Sequence, residues 1–197
     1  MMDMPNLILV TGNGRNVGKT TLVEALIKLL CQRGSVYGLK VIRQDSSKGD
    51  SHGDHSNLFK SYRLDEKPSH LAGLDSQCNL KIEEETLQYP NKDTARMVKA
   101  GAKRAWIIEG NDVDLEHAVF TWSSQLESNS IVICESAILR EFVRPKVMVA
   151  IKQSPPWDNL KEWKYPFNLA DIVIEKGSEM PDYNLWAKKV VELINLR

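Results

Sequence analysis

The sequence predicts an α/β fold in which a mostly parallel central sheet carries helices on both faces. Short aliphatic runs alternate with segments of helical periodicity along most of the chain. The first run, at residues 7–10, leads directly into a glycine-rich turn and a helical segment, which is the order found in a βαβ unit. With 197 residues, 42% of them hydrophobic, we expect residues 1–197 to form a single domain with one buried core.

The first half of the chain predicts two strands, one long helix and one long loop. Residues 7–10 are a buried strand, residues 20–32 repeat apolar side chains at helical spacing, and residues 36–42 are a second strand. Residues at about 44–70 begin with a stretch that has almost no apolar side chains, which predicts a polar, mobile loop beside the site. A short strand is predicted at residues 78–82.

The second half of the chain returns to a regular alternation of elements. The pattern predicts a helix at 94–102, a strand at 105–108, a helix at 113–126, strands at 131–134, 147–151 and 172–174, and a closing helix at 185–196. Strands that are separated by helices run parallel in one sheet, and the helices cover its faces.

Composition excludes several classes of protein. The 26 basic and 26 acidic side chains leave no net charge that would favour bulk nucleic acid or an anionic membrane. The three cysteines show no CxxC spacing, which argues against a disulfide framework and against a cysteine metal site. No run approaches the roughly 20 apolar residues of a membrane helix. We therefore expect a cytoplasmic protein with neither nucleic acid nor membrane as a partner.

Residues 12–21, with the sequence GNGRNVGKTT, follow the first strand and open the first helix. Glycines allow a tight turn whose N–H groups face a phosphate, Lys19 adds a positive charge, and the Thr20 hydroxyl suits Mg²⁺. Five residues separate Gly12 from Gly18, one more than in the commonest phosphate loop. The pattern predicts a P-loop that binds ATP or GTP with Mg²⁺. Its predicted binding residues are Gly12, Asn13, Gly14, Arg15, Asn16, Val17, Gly18, Lys19, Thr20 and Thr21.

Two stretches resemble known P-loop families. The longer loop is similar to that of dethiobiotin synthetase and its relatives. Residues 92–102, KDTARMVKAGA, resemble the signature of the molybdopterin-guanine-dinucleotide biosynthesis adapters of the MobB type. The strands at 39–43, 131–136 and 144–149 are similar in place and character. The resemblance implies a three-layer P-loop NTPase fold.

The resemblance leaves two functions open. A MobB-type adapter would hold GTP or ATP, hydrolyse it slowly at best, and serve a partner enzyme of molybdenum cofactor biosynthesis, with a homodimer as a possible assembly. The alternative is an ATP-dependent small-molecule ligase or kinase similar to dethiobiotin synthetase. A carboxylate-binding second site built from Lys40 and Arg43 would favour the enzyme, and an apolar patch on a dimer would favour the adapter.

The resemblance also implies the metal ligands. Glu135 corresponds to an acid that ends a strand facing the phosphates, and Asp93 corresponds to an acid that approaches Mg²⁺. With Thr20 they form the predicted metal set, since Mg²⁺ prefers oxygen ligands and only one or two carboxylates. Glu109 ends another strand and competes with Glu135 for this role. Asp93 has an alternative role as an ordinary first-turn residue of a helix.

Two basic residues of the loop are the predicted catalytic residues, Lys19 and Arg15. Arg15 lies near the position where some relatives place a lysine that reaches a phosphate across a dimer. A guanidinium there stabilises charge on a transferring phosphoryl group. A solvated loop arginine is the alternative interpretation.

Overall fold

The computed structural model describes residues 1–44, 80–153, 167–177 and 179–196. The strands in these segments are β1 (Met2–Gly12), β2 (Val36–Arg43), β3 (Lys81–Glu84), β4 (Arg104–Gly110), β5 (Ile131–Ser136), β6 (Val143–Gln153) and β7 (Ile172–Lys176). The helices are α1 (Lys19–Leu30), α2 (Asp93–Lys99), α3 (Asp112–Ser123) and α4 (Tyr183–Leu196), with short 3-10 turns at Leu139–Glu141 and Phe167–Leu169.

All of these strands belong to one sheet, in the order β3-β4-β2-β5-β1-β6-β7. Neighbouring strands run parallel, except that β3 runs antiparallel to β4 at one edge. The predicted mostly parallel sheet is therefore confirmed. The strand predicted at 78–82 begins only at Lys81, and residues 78 and 79 lie outside the described residues.

Side chains alternate between the two faces of the sheet. On β1, Ile8 and Val10 join a buried cluster with side chains of α1, α2 and α4, whereas Leu7 and Leu9 join a second cluster with side chains of α3. Because successive side chains of a strand point to opposite faces, one strand supplies both cores. Helices cover both faces, as the sequence predicts.

The helices differ from their predicted limits where capping residues decide the ends. α2 ends at Lys99 and not at residue 102, because Gly101 adopts a left-handed φ of +114°. The Asn111 side chain accepts a hydrogen bond from the Asp114 N–H and so begins α3 one residue early. The Asp182 carboxylate accepts the N–H groups of two residues in the first turn of α4, which begins at Tyr183.

β1 and β6 are both longer than predicted. Residues 2–4 of β1 pair in parallel with residues 143–145 of β6, and the register shifts between Met4 and Ile8. Polar and proline residues interrupt the apolar pattern here, among them Pro5 and Pro145, so that periodicity alone stops the strands too early. This pairing adds residues 2–4 to the sheet.

Within the described segments, none of the helices combines the length and the apolar character that a membrane crossing requires. The polar loop predicted at about 44–70 lies outside the described residues, apart from Gln44.

Candidate functional site

The segment 12–18 connects β1 to α1 at the carboxyl end of the central strands, between β5 and β6. Open parallel sheets bind ligands at this edge. The Asn13 side chain fixes the start of the segment to β6. Its amide nitrogen donates to the Gln153 carbonyl over 2.9 Å, and its amide oxygen accepts the Gln153 N–H over 2.9 Å.

Three further contacts hold the loop backbone. The Tyr183 hydroxyl donates to the Val17 carbonyl over 2.9 Å, and the Lys176 ammonium donates to the Asn16 carbonyl over 3.0 Å. The Lys19 ammonium donates to the Gly14 carbonyl over 2.6 Å, which places its charge across the loop.

The start of α1 is suited to an anion. Its N-cap is Gly18, so no side chain caps the first N–H groups, and no acidic residue occupies the first turn. Uncapped N–H groups and the helix dipole together favour negative charge at this end. The positive charge of Lys19, the first residue of α1, adds to this effect.

Gly18 meets two constraints that only glycine satisfies. Its φ is +104°, in the left-handed region, and a Cβ at this position would lie 1.8 Å from the Tyr183 hydroxyl oxygen. That hydroxyl is itself hydrogen-bonded to Val17 and cannot move away without losing its partner. The loop therefore depends on α4, a helix 165 residues further along the chain.

Four polar side chains meet behind the loop, and we refer to Thr20, Lys40, Asp93 and Glu135 as the Thr20 cluster. The Thr20 hydroxyl lies 3.1 Å from an Asp93 carboxylate oxygen and 2.8 Å from a Glu135 carboxylate oxygen. The Lys40 ammonium forms an ion pair with Asp93 and lies 3.9 Å from Glu135. The cluster brings together all three predicted metal ligands.

Strand register explains why the cluster forms. Glu135 of β5 is paired in register with Val10 of β1 on one side and with Lys40 of β2 on the other. Residues at the same level in a parallel sheet point to the same face, here the face that α1 and α2 cover. Thr20 is the second residue of α1 and Asp93 is the first residue of α2, so both helices begin above this point.

The Thr20 hydroxyl lies within hydrogen-bonding distance of two acidic side chains. A threonine hydroxyl has one O–H donor, so it donates to Asp93 or to Glu135 but not to both at once. Both oxygen–oxygen distances are within hydrogen-bonding range, at 3.1 and 2.8 Å. Three oxygen-bearing side chains therefore converge. Such a set of oxygen ligands fits a hard cation.

Neighbouring side chains shift the pKa values of two charged residues at the cluster, Asp93 and Arg96. Burial raises the pKa of Asp93. The hydrogen bond and charge of Lys40, together with the hydrogen bond from Thr20, lower the pKa by more, so the net shift is downward. Arg96 binds both carboxylate oxygens of Glu24 at 2.9 Å. These hydrogen bonds raise the pKa of Arg96, and the charge of Asp93 adds to the shift.

A divalent ion at this point would need oxygen ligands from outside the protein. Among the residues that the structure describes, no group of three or more histidine, cysteine, aspartate or glutamate side chains could hold a metal ion. Two carboxylates and one hydroxyl fit Mg²⁺, which usually takes one or two carboxylates and completes its octahedron with waters and phosphate oxygens. The same set does not suit zinc, which prefers nitrogen and sulfur ligands.

Glu109, the predicted competitor, lies outside the Thr20 cluster. It belongs to β4, on the far side of β2 from β5, and is level with Ile42, two residues beyond Lys40. Within the described part of the chain, no hydrogen bond or ion pair joins its side chain to the cluster. Asp93, in contrast, uses its carboxylate on Lys40 and Thr20 and not on the N-terminus of its own helix.

The remaining basic candidates have different surroundings. Arg15 is exposed on the turn of the loop. Arg43, at the end of β2, forms ion pairs with Asp112 and with Glu141, the latter at 2.7 Å. The sequence did not predict the ion pair between Lys40 and Asp93, because this contact depends on how β2 and α2 pack together.

Comparison of the chain with protein-family models, with curated proteins and with solved structures finds no match.

The Gly18→Ala substitution should destabilise the protein by about 2 kcal/mol or more, since a left-handed φ costs a residue with a Cβ about 1–2 kcal/mol and overpacking costs about 1–3 kcal/mol. Gly34→Ala is the matched control, because no atom lies within 4 Å of the new Cβ and its φ is not left-handed. Urea denaturation of both variants measures the difference. Equal stability of the two variants would contradict the described loop geometry.

Proposed function

We propose that this protein binds a nucleoside triphosphate, GTP or ATP, together with Mg²⁺. In this proposal residues 12–21 bind the phosphates, and the metal binds beside the Thr20 hydroxyl. One observation carries the proposal: the Thr20 hydroxyl, at the start of the helix that follows the loop, converges with the carboxylates of Asp93 and Glu135. A phosphate loop places its metal at this hydroxyl.

The loop supplies the electrostatics that a polyphosphate requires. The uncapped start of α1 offers N–H groups, and the Lys19 ammonium, 2.6 Å from the Gly14 carbonyl, already spans the loop. On binding, phosphate oxygens replace that carbonyl as acceptors of the ammonium. A charged donor and acceptor form a stronger hydrogen bond than a charged donor and a neutral carbonyl, which favours the exchange.

The Thr20 cluster supplies the metal side of the proposal. Thr20, Asp93 and Glu135 would hold the ion through their side-chain oxygen atoms. Bound Mg²⁺ would neutralise charge on the β- and γ-phosphates. Burial of Glu135, which is only 6% exposed, strengthens its attraction for a cation, because water screens it poorly.

The surroundings of Lys40 and Arg43 favour the adapter over the ligase or kinase. Lys40 is paired with Asp93, one of the proposed metal ligands, and so belongs to the metal site. Arg43 is paired with Asp112 and Glu141, so a second-substrate carboxylate would have to displace them.

On α3, Val113 is 79% and Phe120 is 57% exposed, which is an apolar surface of the kind that an adapter presents to other proteins. We therefore propose a MobB-type role in molybdenum cofactor biosynthesis, with a partner enzyme or second copy.

Slow nucleotide hydrolysis belongs to the same proposal. Arg15 is exposed on the loop, where its guanidinium reaches a transferring phosphoryl group only after rearrangement or across a dimer. The proposed location is the cytoplasm, since Cys31 and Cys134 are both free thiols.

The Lys19→Ala substitution should reduce triphosphate affinity by about 100-fold or more, equivalent to about 2.7 kcal/mol, because the main positive charge at the phosphates is lost. Calorimetric titration with GTP and with ATP in the presence of Mg²⁺ measures the effect. Lys28→Ala, an exposed residue in the last turn of the same helix, is the control and should bind normally. Unchanged affinity of the Lys19 variant would refute the proposed phosphate site.

The Glu135→Gln substitution should raise the Mg²⁺ concentration needed for half-maximal nucleotide binding and lower any Mg²⁺-dependent turnover, each by about tenfold, since one metal carboxylate is lost. Folding should survive, because glutamine preserves the size of the side chain. Glu109→Gln is the control and should titrate with Mg²⁺ like the natural protein. The opposite result, with only the Glu109 variant affected, would move the metal role to β4.

A further inference from the structure

We propose that Lys40 is a built-in counter-ion of Asp93 and Glu135 and must release these carboxylates before a metal binds them. The inference rests on the proposed Mg²⁺ role of the Thr20 cluster and adds a residue that determines when the site accepts a metal. Lys40 is a positioning residue in this scheme. It sets the affinity for free divalent ions and thereby favours arrival of the metal together with nucleotide.

The contacts of Lys40 place its ammonium against both of the predicted metal carboxylates. It is hydrogen-bonded to one Asp93 oxygen and lies 3.9 Å from a Glu135 oxygen. The remaining oxygen of each of these carboxylates contacts the Thr20 hydroxyl. One cation and one hydroxyl therefore bridge the same two acids.

Charge explains why the ammonium and a divalent ion exclude each other. Asp93 and Glu135 carry two negative charges when ionised, and Lys40 neutralises one of them. The nearby Arg96 acts on these acids through its charge, while its Nε and Nη2 groups donate hydrogen bonds to Glu24. A divalent ion at the carboxylates would lie within a few ångströms of the ammonium, and this repulsion weakens metal binding while Lys40 remains in place.

Lys40 can leave without movement of the sheet. Its side chain is 23% exposed, and its backbone is held in register with Glu135 on one side and Ile107 on the other. The unbranched lysine chain reorients by rotation of its own bonds, so that its charged end can reach solvent. The side chain of Asp93, its ion-pair partner, is 28% exposed, which gives a metal a path to the carboxylates.

The exchange predicts an order of binding. Free Mg²⁺ must displace an ammonium and gains only two carboxylates and a hydroxyl. A metal that arrives with a triphosphate brings its own phosphate ligands and negative charge, which offset the loss of the Lys40 ion pair. The site then selects the metal–nucleotide complex over the free metal.

The test is Mn²⁺ binding to the nucleotide-free protein, followed by electron paramagnetic resonance, in the natural chain and in Lys40→Met. Methionine removes the charged Nζ and keeps an unbranched chain as far as Cε. We expect Mn²⁺ affinity to rise about tenfold or more in the variant, since a competing cation has gone. The metal-free variant should also melt at a lower temperature, because two carboxylates face each other without a counter-ion, and Mn²⁺ should restore the loss.

Two further variants complete the test. Lys40→Arg keeps the positive charge and should bind free Mn²⁺ as weakly as the natural protein. Lys40→Gln is a second neutral variant whose amide can still donate to the carboxylates, and it serves if the methionine variant does not fold. Equal or weaker Mn²⁺ affinity in the folded neutral variants would overturn the inference. Failure of the natural protein to bind Mn²⁺ even with nucleotide would instead refute the proposed function.

Discussion

The parallel register of β1, β5 and β2 is the constraint on which the rest of the site depends. It places Glu135 level with Val10 on one side and with Lys40 on the other, immediately below the start of α1. A shift of β5 by one residue would turn Glu135 to the opposite face, where α3 packs. The loop would then remain, but the carboxylate behind it would be lost, and with it the proposed metal site.

Electrostatic balance links this register to function. The site combines an uncapped helix start and Lys19, which favour anions, with two carboxylates that favour a cation. The metal-bound triphosphate that we propose as ligand would satisfy both halves at once, whereas a free phosphate or a free metal would satisfy only one. Within the protein, the Lys19 ammonium donates to the Gly14 carbonyl, and Lys40 forms an ion pair with Asp93.

Much of the fold could be predicted because the central strands are continuous apolar runs and the glycine-rich turn marks where α1 begins. The family resemblance also implied that Thr20, Asp93 and Glu135 meet, and their positions near a strand end or a helix start agree with it. The contact between Lys40 and Asp93 was not predictable, because register and helix packing are tertiary properties. Likewise, nothing local to Tyr183 indicates that its hydroxyl holds the Val17 carbonyl, 166 residues away.

The most direct test of the account is thermal denaturation with ATP and with GTP, each with Mg²⁺ and with a chelator. A ligand that binds only the folded state stabilises it by mass action, by about 2.7 kcal/mol at a hundred times its dissociation constant. If the protein binds a triphosphate with Mg²⁺, its melting temperature should rise with at least one triphosphate, and should rise more when Mg²⁺ is present. An unchanged melting temperature with every triphosphate at millimolar concentration would contradict the account.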